Sequence, residues 1–378
     1  MNWLRNRFEL SRGGSGHNLR SMEGLRGFAV FLVFLVHYVT LVDPWLPDPS
    51  RIRTVARALH AMGNSGVDLF FVLSGYLIYG TLLARPQPFG KFMARRIERI
   101  YPAFVAVLAL YVALSFAFPS ESKFPATPGS SALYFVANYL LLPGLLPIDP
   151  IITVAWSLSY EMFFYLTIPL VIVGLDLRGR SVLWRSVLFA LTAVFVFAYG
   201  AAYGGHVRMA MFLAGMLLYE TIAARRRAPG TALALSGLVI GLAGTLLPIG
   251  GSAGFALKVA LLFVAFFGLC FACFADGSTV LARAFSWLPL RWLGNMSYSY
   301  YLLHGLALKA AFLVLGLWLP ATAAGSTVFW TLLGPMFAVS LVPAAALFLL
   351  VERPFSLRAP SRRPAPPLPE APATPVAH

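Results

Sequence analysis

Ten apolar stretches, near residues 24–42, 64–84, 100–118, 151–174, 186–203, 207–223, 231–249, 254–275, 292–316 and 326–351, leave this chain few architectures. At 1.5 Å of rise per residue, uncharged runs of 18 or more residues are long enough to cross a hydrocarbon layer about 30 Å thick. One soluble core cannot absorb so many of them. Composition agrees, because 59% of the residues are hydrophobic and 11% charged, against about 25% charged in an ordinary soluble domain. The bilayer must act as solvent for most of this surface, and backbone in hydrocarbon has to satisfy its own hydrogen bonds. The expected fold is therefore an all-α integral membrane protein of about ten transmembrane helices. Segment 131–147 is too short and too interrupted by proline to span, and it reads as a short re-entrant or interfacial element before the fourth helix.

Charge sets the expected orientation. The formal net charge of +15 is the kind of excess that binds nucleic acid when it is clustered, but here Lys and Arg lie between apolar runs, the pattern of cytoplasmic loops. No nucleic-acid partner is expected. Most of the 29 Lys and Arg fall on one side if both termini are cytoplasmic, N-in and C-in; Arg51, Arg53 and Arg57 tilt the other way. Arg5, Arg7, Arg12 and Arg20 imitate the start of a signal peptide, yet no small-residue cleavage motif follows. Residues 1–23 read as a retained cytoplasmic segment, 24–351 as the membrane domain, and 352–378 as a cytoplasmic Pro/Ala-rich tail without the apolar period that a core needs. No block is large enough for a soluble catalytic domain, so chemistry must use residues in or beside the membrane.

Ionisable residues inside apolar spans are costly and become functional candidates by default. Here they are Arg26, His37, Asp68, Glu161, His304 and Lys309, with Arg95, Arg96 and Arg99 at the mouth of the third span. Arg26 and His37 are separated by about three helical turns plus 20°, or roughly 16 Å, and so share a face. A charged anchor at the surface with a titratable group deeper in suits a long substrate that has an anionic head and a reactive end. The alternative is a snorkelling arginine and a histidine bonded to a neighbouring helix. Ser157, Glu161 and Tyr165 form one stripe at i, i+4 and i+8, and Ser297 and Tyr301 share the face of His304. His37, Glu161 and His304 are expected at similar depth; if their faces converge, the carboxylate can orient an imidazole for general-base work. Asp68 caps the second span or contacts substrate, and Gly75 on its face permits close packing. Lys309 is expected to snorkel to the interface. Cys270 and Cys273 have CxxC spacing but lie inside an apolar run without a second ligand pair, so no metal site is expected.

At these residues the chain resembles acyltransferase family 3, the integral-membrane O-acyltransferases that include surface-polysaccharide O-acetylases. The matching segments are SMEGLRGFAVFLVFLVHY at 21–38, GVDLFFVLSGYLI at 66–78, RRIERIYP at 95–102, WSLSYEMFFYL at 156–166 and GNMSYSYYLLH at 294–304. The resemblance implies an acyl-CoA donor, usually acetyl-CoA, bound from the cytoplasm as a substrate, with no tightly bound cofactor. It implies donor-holding roles for Arg26, Arg96 and Arg99, with Arg95 beside them, and catalysis by His37. The chain departs from the family at Met162, where many members carry a second acid beside the one matching Glu161. Some members carry a C-terminal extracytoplasmic esterase-like domain; none is expected here, so transfer would be completed by the membrane domain or by a separate partner.

The expected mechanism has the arginines binding CoA phosphates, His37 deprotonating a hydroxyl of a saccharide or lipid-linked glycan, and Glu161 orienting His37 or stabilising its cation. An acyl-histidine intermediate is the variant. Ser157, Tyr301, His304 and Asp68 are expected to bind substrate. The setting would be a bacterial inner membrane, with other polysaccharide-assembly proteins as partners. The rival class is a transporter or flippase with a buried His/Glu proton relay; the repeated halves typical of such folds are not visible in this sequence.

Overall fold

The computed structural model describes residues 5, 7–10, 17–47, 50–320 and 325–357. Of the tail predicted over 352–378, residues 358–378 lie outside the described residues, as does most of the segment before His17. Among the described residues there are helices and no strands, only an isolated bridge between Pro143 and Leu146. The long helices are α1 (His17–Val42), α3 (Ser65–Ala84), α4 (Phe89–Ala117), α6 (Trp156–Gly174), α7 (Val182–Tyr203), α10 (Gly251–Phe274), α13 (Ser297–Trp318) and α14 (Ser326–Leu347). Between them lie α2 (Arg51–Gly63), α5 (Pro128–Tyr139), α8 (Ala210–Ala223), α9 (Thr231–Gly244), α11 (Val280–Phe285) and α12 (Leu288–Asn295).

Eight helical segments are long and apolar enough to cross a membrane. A helix occupies each of the ten predicted stretches, but α8 and α9 have 14 residues each and cover about 21 Å, less than the hydrocarbon thickness of about 30 Å. Length and composition therefore support eight crossings rather than ten. The stretch before α6 forms the 12-residue α5 and then turns back through Leu141 and Gly144, both at positive φ. The Asn138 side chain pins the return, accepting from the Ile151 amide at 2.7 Å.

Arg51, Arg53 and Arg57 belong to α2, a separate amphipathic helix capped by Ser50, whose hydroxyl accepts from the Arg53 amide. The last long helix does not stop at 351. It continues as a π-helical segment, Phe348–Ser356, because the buried Glu352 carboxylate is held by Arg99 and by the Ser299 amide and hydroxyl.

Backbone contact fixes the helix crossings that carry the site. A Cβ built on Gly75 would fall 2.2 Å from the carbonyl oxygen of Phe212, and one on Gly215 would fall 2.1 Å from that of Val72, so α3 and α8 touch without intervening side chains. The close packing expected at Gly75 is therefore present. In the same way Gly24, Gly27 and Gly294 bring α1 against α11 and α12. Buried ion pairs staple neighbouring elements. The Arg185 guanidinium donates to both oxygens of Glu220 at 2.7 and 2.8 Å, and the Tyr79 hydroxyl also donates to that carboxylate. Arg291 pairs with Glu23 at 2.9 Å. The Glu220 and Glu23 carboxylates thus each have a guanidinium partner, as burial demands.

Candidate active site

A cavity of about 1010 Å³ lies among α1, α3, α4, α6 and α13. Its open end carries Lys91, Arg95 and Glu98, all exposed, with Arg26, Arg96 and Arg99 half-buried around it. Its deeper wall carries Phe70, Ser74, Ser157, Glu161, Tyr165, Tyr298 and Tyr301. The four predicted donor-binding arginines thus border one space.

Their surroundings differ. The Arg99 guanidinium pairs with Glu352, a fully buried carboxylate, and lies over the Tyr298 ring at 5.4 Å. Arg96 lies over the rings of Phe92 and Tyr165, at 5.5 and 5.7 Å, and its Nε has no hydrogen-bond partner. Arg95 reaches outward, donating to the Gln87 side chain and the Lys91 carbonyl. Arginine over an aromatic face keeps its forked donors available for phosphate oxygens.

The stripe on α6 faces the cavity at all three positions, Ser157, Glu161 and Tyr165. Glu161 accepts from the Ser74 hydroxyl at 2.9 Å and from the Tyr165 hydroxyl. Its hydrogen bonds go to these two groups and not to His37, so the expected Glu161–His37 pair is not formed. The Ser157 and Tyr301 hydroxyls lie 2.6 Å apart, each within reach of the Val154 carbonyl, at 3.2 and 3.0 Å, so one hydroxyl donates to the other and the second donates to that carbonyl.

His37 meets His304 instead, with ring centroids 4.8 Å apart at 74°. Neither imidazole borders the cavity. Tyr301 does, and its ring centroid is 6.1 Å from that of His304, while Phe70 closes the same wall 6.2 Å from Tyr301. The histidines therefore lie one layer of rings beyond the deep wall. Arg26 and His37 do share a helix, but the Phe70–Tyr301 pair ends the cavity between them.

Asp68 is fully buried and lies outside the cavity. Its carboxylate is 3.4 Å from Arg208, which also donates to the Asn64 carbonyl at 3.1 Å and lies over the Trp156 and Phe255 rings. Asp68, expected to cap the second span or contact substrate, lies in the first turn of α3 and forms a buried ion pair with the turn before α8. Lys309 reaches an exposed partner, Glu121. Cys270 and Cys273 are buried and free.

Sequence reasoning missed Glu352, Ser74, Tyr298 and Arg208. Glu352 had a signal, an acid at the end of an apolar helix in an otherwise basic stretch. Ser74 and Tyr298 had none beyond polarity within a span.

An all-α protein with membrane-length helices and a basic-mouthed interior cavity is a frame for chemistry on a charged, elongated molecule. The chain belongs to the acyltransferase domain family, whose sequence pattern matches residues 19–349. Among curated relatives it is 33% identical over 144 residues to an uncharacterized protein of Haemophilus influenzae, matching 35% of this chain and 57% of that one. It is 28% identical over 281 residues to the peptidoglycan O-acetyltransferase OatA of Listeria monocytogenes, covering 64% of this chain and 44% of that protein. It is 28% identical over 329 residues to the exopolysaccharide production protein ExoZ of Rhizobium meliloti, covering 80% of this chain and 92% of that one. The match thus spans about half the length of the first two relatives and nearly all of the third. No solved structure matches the chain.

Proposed function

We propose that this protein is a membrane O-acyltransferase that moves an acyl group, acetyl by preference, from acyl-CoA to a hydroxyl of a cell-surface or exported saccharide. The observation that carries the reading is a cavity with four arginines near its mouth and a hydroxyl-lined wall one ring layer from two histidines. Family membership and the peptidoglycan and exopolysaccharide relatives support the reaction class and the kind of acceptor.

Arg96, with Arg26 and Arg95, receives the CoA phosphates, since guanidinium is the preferred bidentate partner of phosphate. Arg99 shapes this end from its pair with Glu352. The pantetheine arm extends along Phe70, Ser157 and Tyr301, and the Phe70–Tyr301 rings part to admit the thioester. His37 takes the proton of the acceptor hydroxyl as its oxygen bonds to the acyl carbon. The carbon–sulfur bond then breaks, and the proton returns to the departing CoA thiolate. Glu161, held by Ser74 and Tyr165, lines the donor path instead of orienting His37.

On this reading the arginine end faces the cytoplasm of a bacterial inner membrane, and the acceptor comes from the opposite side, free or lipid-linked. Acyl-CoA is a substrate, and no resident cofactor takes part. Other polysaccharide-assembly proteins supply the acceptor.

The test is purified protein in detergent with acetyl-CoA and surface polysaccharide stripped of its O-acyl esters by mild base, with free thiol followed over time. Thiol release that depends on the polysaccharide is expected. Transport of saccharide by the reconstituted protein with no thiol release would instead favour a transporter.

A further inference from the structure

His304 is fully buried, and its two ring nitrogens have opposite surroundings. Nδ1 lies 2.9 Å from the carbonyl oxygens of both Tyr300 and Tyr301. A carbonyl can only accept, so Nδ1 carries the hydrogen and Nε2 is left as a bare acceptor. That Nε2 is buried and has no hydrogen-bond partner. A polar atom left unsatisfied in an interior costs about 1–3 kcal/mol, so its persistence calls for a use.

The ring cannot easily turn away. Tyr300 stacks on it at 5.0 Å and 9°, and the Tyr300 hydroxyl is tied to Ser340 at 2.8 Å. The nearest other ring is His37, 4.8 Å away and edge to face. At that separation a turn of the His37 ring brings two imidazole nitrogens within hydrogen-bond reach, the tightening expected when a resting site takes up its reactants.

We propose that His304 is a positioning residue for His37, supplying from Nε2 the acceptor that a carboxylate would supply in a more familiar dyad. The inference rests on His37 acting as the base of the acyl transfer. When one ring nitrogen of His37 takes the proton of the acceptor hydroxyl, the N–H on its other nitrogen donates to Nε2 of His304. That hydrogen bond fixes the His37 tautomer and stabilises its cation, while His304 stays neutral with its proton held by the two carbonyls. The proton then leaves His37 for the CoA thiolate. The same pairing gives a reason for Glu161 being engaged elsewhere.

Three substitutions separate this role from a structural one. An Asn amide reaches the place of Nδ1 and can keep the backbone anchor, whereas a Gln amide reaches the place of Nε2 and can keep the acceptor. Purified His304→Ala, His304→Asn and His304→Gln are compared with wild type for polysaccharide-dependent thiol release from acetyl-CoA, and thermal unfolding in detergent identifies any misfolded variant. For Ala and Asn the expected result is a fall in kcat of about 10² or more, the lower range for a positioned proton-transfer group, with the KM for acetyl-CoA within about twofold of wild type. Gln should recover at least about tenfold of that loss. Wild-type kcat in the Ala or Asn protein would overturn the inference, and so would an active Asn with an inactive Gln, because the backbone anchor would then be what matters. Absence of thiol release by wild type would refute the acyl-transfer reading itself, a separate outcome.

Discussion

Arg96 and Arg99 border the same cavity from one face of α4, yet only Arg99 has a buried counter-charge. Removing Arg99 strands Glu352 without its partner, which in a buried pair costs roughly 3–5 kcal/mol. Removing Arg96 takes away a guanidinium backed only by aromatic faces. Arg96→Ala should therefore raise the KM for acetyl-CoA about 10- to 100-fold, the worth of one or two charge-assisted hydrogen bonds, while leaving kcat and the unfolding midpoint near wild type. Arg99→Ala should lower the unfolding midpoint as well. Steady-state kinetics and a melting curve on both variants check this, and unchanged KM for the Arg96 variant would remove it from the donor site. These two residues also mark what a sequence conveys at this scale. Residue types that do not belong in an apolar run stand out at once, which is how Arg26, His37, Glu161 and His304 were found. Partnership does not stand out, because Glu352 lies 253 positions from Arg99 and Glu161 is bonded to a serine on another helix.

The helices that hold the cavity meet through glycines. Gly294 on α12 is so close to α1 that an added Cβ would sit 1.7 Å from the Glu23 carbonyl oxygen, and one on Gly27 would sit 2.1 Å from that of Leu290. Both oxygens belong to the backbone and cannot swing aside, so the elements must separate. Gly294→Ala should lower stability by about 1–3 kcal/mol, the usual cost of overpacking, and loosen the Arg291–Glu23 pair across the same crossing. A drop in the detergent melting midpoint checks the first effect; a midpoint equal to wild type would show that the crossing is slack. The long helices were legible because apolar runs report length directly. The short amphipathic α2 and α12 were not, since their polar faces broke the run, and α9 is shorter than the apolar run that predicted it because hydropathy does not show where a helix stops. The π-helical end of the chain followed from a tertiary contact, Glu352 to α4 and α13, that no local pattern encodes.

At the scale of the whole molecule, three of the described cations beyond the far end of α1 have carboxylate partners, Arg53 with Asp43, Arg208 with Asp68 and Lys309 with Glu121. Of the three arginines of α2 that ran against the charge bias, Arg53 is thus offset by a carboxylate, while the exposed Lys91 and Arg95 remain at the cavity mouth. This arrangement supports an inward-facing arginine end and a donor that never crosses the hydrocarbon with its phosphates. The family and the helical membrane fold were readable from five motifs and the apolar runs. The ring layer between the cavity and the histidines was not, because it depends on how α3 and α13 face each other. The most direct measurement uses sealed membrane vesicles of known orientation containing wild type or His37→Ala. Acetyl-CoA is supplied on one face only, with de-O-acylated surface polysaccharide on both. The account predicts thiol release by wild type only when acetyl-CoA meets the cytoplasmic face, and none by the His37 variant. Release driven only from the opposite face, or near-normal release by the His37 variant, would contradict it.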